Sequence, residues 1–315
     1  MPVRVALALL LTFLAAALAL RLLVEPGGGM GLPASGVVWQ IRLDRAIAAV
    51  IVGACLGTAG VALQAMLRNP LASPDLLGMS AGAVLAVTLA RAIGLGIRDD
   101  ISALIGSIGA LGLVLLLGRR RGRVEPVTLI LVGVALAIGL GSLASAVRAI
   151  MPPSARPEGT WYFGSLTESL ALHEIVLAGG LALAGVLWVS WRGSALDAAA
   201  MGEDEAITSG VPLRRLRVEM VLLAGVLTAV AVVLAGPIAF LGLVCPHLVR
   251  MLMGPRHTPL VFGAAMAGAV LMLVSDSVVR VLPLETGRLP TGVVVAVLAA
   301  PVLVLILRSQ ASRPA

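Results

Sequence analysis

From its N-terminus the chain is a succession of long apolar runs joined by short polar connections. The first run is Val5–Val24, interrupted only by Arg21. Ala46–Leu67 follows without a charge, then Leu76–Ala90, which can extend through Arg91 to Gly96. Ile101–Gly118, Thr128–Val147, Ile175–Trp191, Thr258–Ser275 and Thr291–Leu307 have the same character. A spanning helix needs ~20 mostly apolar residues to cross ~30 Å of hydrocarbon. Each run is thus predicted to be a transmembrane helix.

One run is too long for a single crossing. Met220–Val249 has 30 residues without Asp, Glu, Lys or Arg, and as one helix it would be ~45 Å long. Gly236-Pro237 lies in its middle, where Pro removes a helix hydrogen bond and Gly loosens the backbone. Splitting it there, with Arg214–Glu219 and Arg250–Met253 completing the halves, predicts ten spans. The fold class is an all-α membrane protein, with residues 1–315 forming one domain.

The arginines orient the spans. With both termini in the cytoplasm, fourteen arginines (4, 68, 119, 120, 121, 123, 192, 214, 215, 217, 250, 256, 308 and 313) fall inside. Nine (21, 42, 45, 91, 98, 148, 156, 280 and 288) fall at or near the outer face. This is the bias of the positive-inside rule, and the basic run 119–123 is its strongest marker. The first run also has the arginine, apolar core and small residues (15–19) of a signal peptide. Its continuation through Leu22 and Leu23 suits a retained helix better.

Composition agrees. Hydrophobic residues are 59% and charged residues 12% of the chain, against about 45–50% and 25% in soluble proteins. All 23 basic residues are arginine. Without lysine there is no P-loop to hold ATP phosphates and no Schiff-base chemistry. The net charge of +7 sits between apolar runs, which points to helix orientation and away from nucleic acid. Cys55 and Cys245 lie in apolar runs and behave as small hydrophobes.

Several polar features invite chemistry. Gly53-xxx-Gly57, with Gly60, aligns small residues for close helix packing; Gln64 on the same helix suits either packing or a transport pathway. Arg68-Asn69-Pro70-Leu71-Ala72-Ser73-Pro74-Asp75 reads as a turn with Asp75 capping the next helix. In the segment 194–213, Gly202 and Gly210 stand where helices end, and Glu203-Asp204-Glu205 where one begins. Two short helices, Leu196–Met201 and Asp204–Ser209, are predicted outside the bilayer, with Leu196, Met201 and Ile207 on a docking surface. Asp276 and Arg280 have the i,i+4 spacing of a salt pair, which can be structural or functional. Cys245 and His247 are ~200° apart on a helix, which disfavours a shared metal, and no other ligand cluster is visible. No catalytic constellation is visible either.

The polar motifs also carry a resemblance. Arg42-Leu43-Asp44-Arg45 followed by Gln64–Gly78, then Gly236–His247, then Leu289-Pro290-Thr291-Gly292-Val293-Val294 with Pro301, resemble in order the FecCD-type permeases of iron-siderophore, haem and vitamin B12 importers. The resemblance implies a type II ABC importer permease fold in a bacterial or archaeal plasma membrane. It implies a homodimer (or a pair with a close paralogue) around a central pathway, two cytoplasmic ATPases and an extracytoplasmic substrate-binding protein. No cofactor is expected on this chain, ATP and Mg being held by the partner ATPase. Leu196–Gly210 becomes the coupling segment to the ATPase. Arg42, Arg45 and Arg280 match arginines offered to acidic residues of the binding protein. Gly53, Gly57, Gln64, Asn69 and Pro70 belong to the pathway or to helix packing. Asp44 stands where the family usually has Pro, and Cys245 where it has an aliphatic residue. The expected cargo is an iron-siderophore, with haem or vitamin B12 as alternatives. An ion-coupled secondary transporter is a more distant reading, disfavoured by the absence of mid-span charges.

Overall fold

The computed structural model describes residues 1–33, 35–120, 123–156, 159–282 and 289–311. Arg121, Arg288 and Arg313, counted above, lie outside the described residues. The helices are α1 (Val3–Leu23), α2 (Gly36–Leu67), α3 (Met79–Ala92), α4 (Asp99–Leu117), α5 (Pro126–Ile150), α6 (Gly159–Tyr162) and α7 (Leu172–Trp191). They continue with α8 (Gly193–Met201), α9 (Glu203–Thr208), α10 (Leu213–Ala235), α11 (Leu241–Met253), α12 (His257–Val281) and α13 (Thr291–Ala311). Among the described residues, seven helices (α1, α2, α4, α5, α7, α10 and α12) are long and apolar enough to cross a membrane. α3, α11 and the apolar part of α13 are shorter. These ten match the predicted spans. Within the basic run, β1 (Arg119–Arg120) pairs antiparallel with β2 (Arg123–Val124).

The predicted break is present. α10 stops at Ala235, Gly236 turns at φ 65°, and Phe240 at φ 67° starts α11. The sequence predicts that Asp75 caps the helix after it. Instead its carboxylate accepts from the Ser73 hydroxyl (3.1 Å) and from the Phe240 N–H (3.2 Å). Asp75 thus serves the half-buried Phe240 amide at the start of α11, a need created by the break.

α2 is the central helix, packed by α12, α10, α11 and α7. It begins ten residues before the predicted Ala46, because the Ser35 hydroxyl accepts from the Val38 N–H and caps it. Gly53 lies against the backbone of Gly268 and Ala269, Gly57 against Ala264, and Gly60 against Gly242. A methyl group at any of the three would run into main-chain atoms. The small-residue row brings α2 into backbone contact with α12 and α11, so these glycines serve packing.

Candidate functional site

The polar segment forms the two predicted short helices, the first starting three residues earlier and ending as predicted, the second displaced by one residue at each end. They lie at the end of the molecule shared by the 68–78 turn and the start of α12. Arg68, in the left-handed region at φ 46°, donates from Nε to the Ala199 carbonyl at 3.1 Å. Asp197 Oδ1 accepts from the His257 N–H at 2.9 Å and lies 2.6 Å from His257 Nδ1. Gly193 sits against Thr258, whose hydroxyl reaches the Ser190 carbonyl. α8 is therefore fastened to the ends of α2 and α12, the two helices in closest contact.

The segment's apolar residues divide by role. Leu196 is fully buried and anchors α8 to the bundle, whereas Met201 and Ile207 are 69% and 65% exposed. Leu196 is thus no part of an accessible surface, contrary to the sequence reading. Asp204 and Glu205 are exposed beside Ile207; the Glu203 side chain lies outside the described ones. Gly210 turns at φ 71°, but Gly202 is extended at φ 165° with room for a side chain. Only Gly210 is held by a glycine-favouring conformation.

Above α8 a cavity of about 580 Å³ is lined by Gln64, Arg68, Asn69, Pro70, Met201 and Arg250, among others. Gln64 donates to the carbonyls of Gly242 (3.4 Å) and Leu243 (3.3 Å) and accepts from Arg250 at 3.2 Å. Asn69 Oδ1 accepts from the Leu71 N–H and holds the turn. Gln64 thus both packs α2 on α11 and lines this cavity beside Arg68, which is bonded to α8.

The opposite end carries a buried charge cluster. Asp276 is the acid between Arg21 and Arg45; it pairs with Arg21 Nε through Oδ2 and with Arg45 Nη2 through Oδ1 at 2.5 Å. Asp276 and Arg21 are both 1% exposed. Arg45 also donates to the Leu166 carbonyl and to Glu168, each at 3.3 Å. Arg42 donates to the carbonyls of Leu22 (2.8 Å) and Gly31 (2.9 Å). Asp44 accepts from the Leu170 N–H at 3.3 Å. The predicted i,i+4 partner of Asp276, Arg280, is not among these contacts. The structure joins α12 to α1 and α2 instead, through partners 255 and 231 residues away. Arg42 and Arg45 are engaged inward and buried; Arg280 is half-buried. The sequence predicts Arg21 only as one of the outer-face arginines, and its pairing with Asp276 is set by the fold. Among the described residues, no three His, Cys, Asp or Glu side chains come together as a metal site.

The profile of the FecCD transport family matches residues 4–309, nearly the full length. This chain belongs to the FecCD transport family. Its relatives within and beyond the enterobacteria include the vitamin B12 import system permease protein BtuC of Serratia proteamaculans, 38% identical over 90% of this chain and 84% of that protein. The cobalamin import system permease protein BtuC of Halobacterium salinarum is 32% identical over 88% of this chain and 74% of that protein. Among solved structures, a metal-chelate type ABC transporter described in an inward-facing conformation superimposes with a TM-score of 0.83, at 28% identity, over 97% of this chain and 99% of that one. PsaBC from Streptococcus pneumoniae, at 14% identity and a TM-score of 0.60, shares the fold. The chain is a multi-pass membrane permease of the ABC importer class.

Proposed function

We propose that this FecCD permease imports a corrinoid of the vitamin B12 type. The observation that carries this reading is the run of relatives at 32–38% identity named as vitamin B12 or cobalamin permeases, in bacteria and in a haloarchaeon. The motifs behind the iron-siderophore expectation are shared by the whole family, so they do not separate the two cargoes. The cargo reading therefore moves to the former alternative.

In this reading two copies enclose a central pathway. Two separate cytoplasmic ATPases hold ATP and Mg, this chain holds no cofactor, and an external binding protein delivers the corrinoid. Both termini and α8–α9 face the cytoplasm, where Met201 and Ile207 enter the ATPase surface. Closure of the ATPases would move α8, and the bonds Arg68–Ala199 and His257–Asp197 would carry that movement to α2 and α12. Backbone-to-backbone packing of α2 on α12 makes them shift as a unit between two packings, as in other switching bundles. Of Arg42, Arg45 and Arg280, the half-buried Arg280 is the one offered to the binding protein, Arg42 and Arg45 being buried.

The test is uptake by vesicles holding the complete assembly, with labelled cyanocobalamin, a ferric hydroxamate siderophore and haem offered separately. Saturable corrinoid uptake without uptake of the others is expected. Saturable siderophore or haem uptake without corrinoid uptake would reverse the assignment.

A further inference from the structure

In sequence the connection between α2 and α3 looks like a surface turn, but the fold carries it inward. A methyl group on Gly133 would meet the Leu76 carbonyl, and one on Gly78 would crowd the Ala137 amide. Both contacts are with α5, which runs from Pro126 to Ile150. At 1.5 Å per residue they lie roughly 10–17 Å from its first residue, within the ~30 Å of hydrocarbon that a spanning helix crosses. Asp75, next to Leu76, is thus held at membrane depth although no apolar run contains it.

Asp75 lines a cavity of about 310 Å³ with Ser80, Tyr162, Phe163 and, from α13, Val293 and Ala296. Both of its hydrogen bonds, from the Ser73 hydroxyl and the Phe240 N–H, fall on Oδ2. Among the described residues no donor reaches Oδ1 and no arginine pairs with the carboxylate. Asp75 and Ser80 are both half-buried, with this cavity on their open side. A second cavity of about 380 Å³ shares Tyr162 and Phe163 with the first and is lined by Ser145 and Arg148 from the last turns of α5. Tyr162 is fixed between the two: its hydroxyl is 2.5 Å from Thr88 Oγ1, and the Arg148 guanidinium lies 4.3 Å from its ring centre.

Capping the Phe240 amide needs one acceptor and no charge. A carboxylate accepts hydrogen bonds and donates none, and ionisable residues at membrane depth face cavities and mark substrate paths. We propose that Asp75 and Ser80 form a subsite of the transport path that accepts hydrogen bonds from amide or ammonium groups of the cargo and disfavours its carboxylates. The proposal rests on the permease assignment and not on the choice of cargo. With a corrinoid, the donors are its side-chain amides.

Thiol labelling of the complete assembly in liposomes tests it. Cys55 and Cys245 are buried, so the unaltered chain supplies the blank. Ser80→Cys is treated with a trimethylammonium or a sulfonate methanethiosulfonate. Relative to a free thiol, the cationic reagent should react about ten-fold faster than the anionic one, since a charge a few ångströms away favours one and opposes the other. Adding Asp75→Asn, which keeps an acceptor for the Phe240 amide, should bring the ratio close to one. A ratio near one with Asp75 in place, or one that Asp75→Asn leaves unchanged, would overturn the subsite. Ala296→Cys, on the α13 side of the same cavity, repeats the measurement should Ser80→Cys fail to fold; no reaction at either position would mean a cavity closed to water and would also overturn it. With ATP present, the cargo that vesicle uptake selects, delivered by its binding protein, should suppress labelling that the empty binding protein leaves intact. Labelling indifferent to that cargo would put Asp75 off the path. Since the cargo is taken from uptake, an error in the corrinoid reading does not by itself sink the subsite.

Discussion

Asp276 is held between two arginines from distant parts of the chain, at the far end of the molecule from α8–α9. Removing one partner of a buried pair typically costs ~3–5 kcal/mol because the remaining charge is stranded. Asp276→Asn should therefore lower thermal stability in detergent well beyond the effect of Arg280→Gln. Comparable losses would mean that the cluster contributes little. The same burial changes how the arginines can be tested. Glutamate at Arg42 or Arg45 would set a carboxylate against the Leu22, Gly31 and Leu166 carbonyls, so those variants should fail to fold. Arg280→Glu should keep the fold and slow association with the binding protein, with a weaker response to salt. An unchanged association rate at low salt would remove Arg280 from that interface. The residue types of this cluster were visible in the sequence; the pairing was not. A local i,i+4 rule offered Arg280 to Asp276, whereas the tertiary fold brought Arg21 and Arg45 to it from two other helices.

Among the elements, α8 and α9 divide anchoring from presentation. Leu196 is buried, and Met201 and Ile207 project outward. Met201→Asp with Ile207→Asp should leave helicity and expression intact and weaken ATPase association at least ten-fold in a pull-down titration. Unchanged association would move the docking surface elsewhere. Gly202→Val should be tolerated, since the backbone there is extended, while Gly210→Val must hold a left-handed conformation that costs ~1–2 kcal/mol. Transport per ATP should fall for Gly210→Val alone. Helical punctuation by glycine and acid made this segment readable, but it could not say which glycine had positive φ or which apolar residue faced in. The early start of α2 was hidden similarly: Arg42, Asp44 and Arg45 look like a polar loop until their inward partners are known.

At the scale of the whole molecule, ten apolar helices were readable because length and hydropathy are local properties, and Gly236-Pro237 marked the break in the longest run. The α2–α12–α11 contact was half readable. The small residues on α2 were evident, but their facing glycines at 242 and 268 required the fold. Together these features make a bundle whose closest-packed pair is fastened to α8, with no lysine anywhere to hold a nucleotide. Such a permease should convert ATPase movement into transport and do nothing with ATP alone. The most direct test is reconstitution of the purified chain in liposomes, with and without its ATPase and binding protein, under imposed ATP or an imposed proton or sodium gradient. Labelled cobalamin should accumulate only in the complete system with ATP, and the chain alone should neither hydrolyse ATP nor respond to the gradient. Gradient-driven accumulation by the chain alone would contradict the ATP-driven importer and make it a secondary transporter.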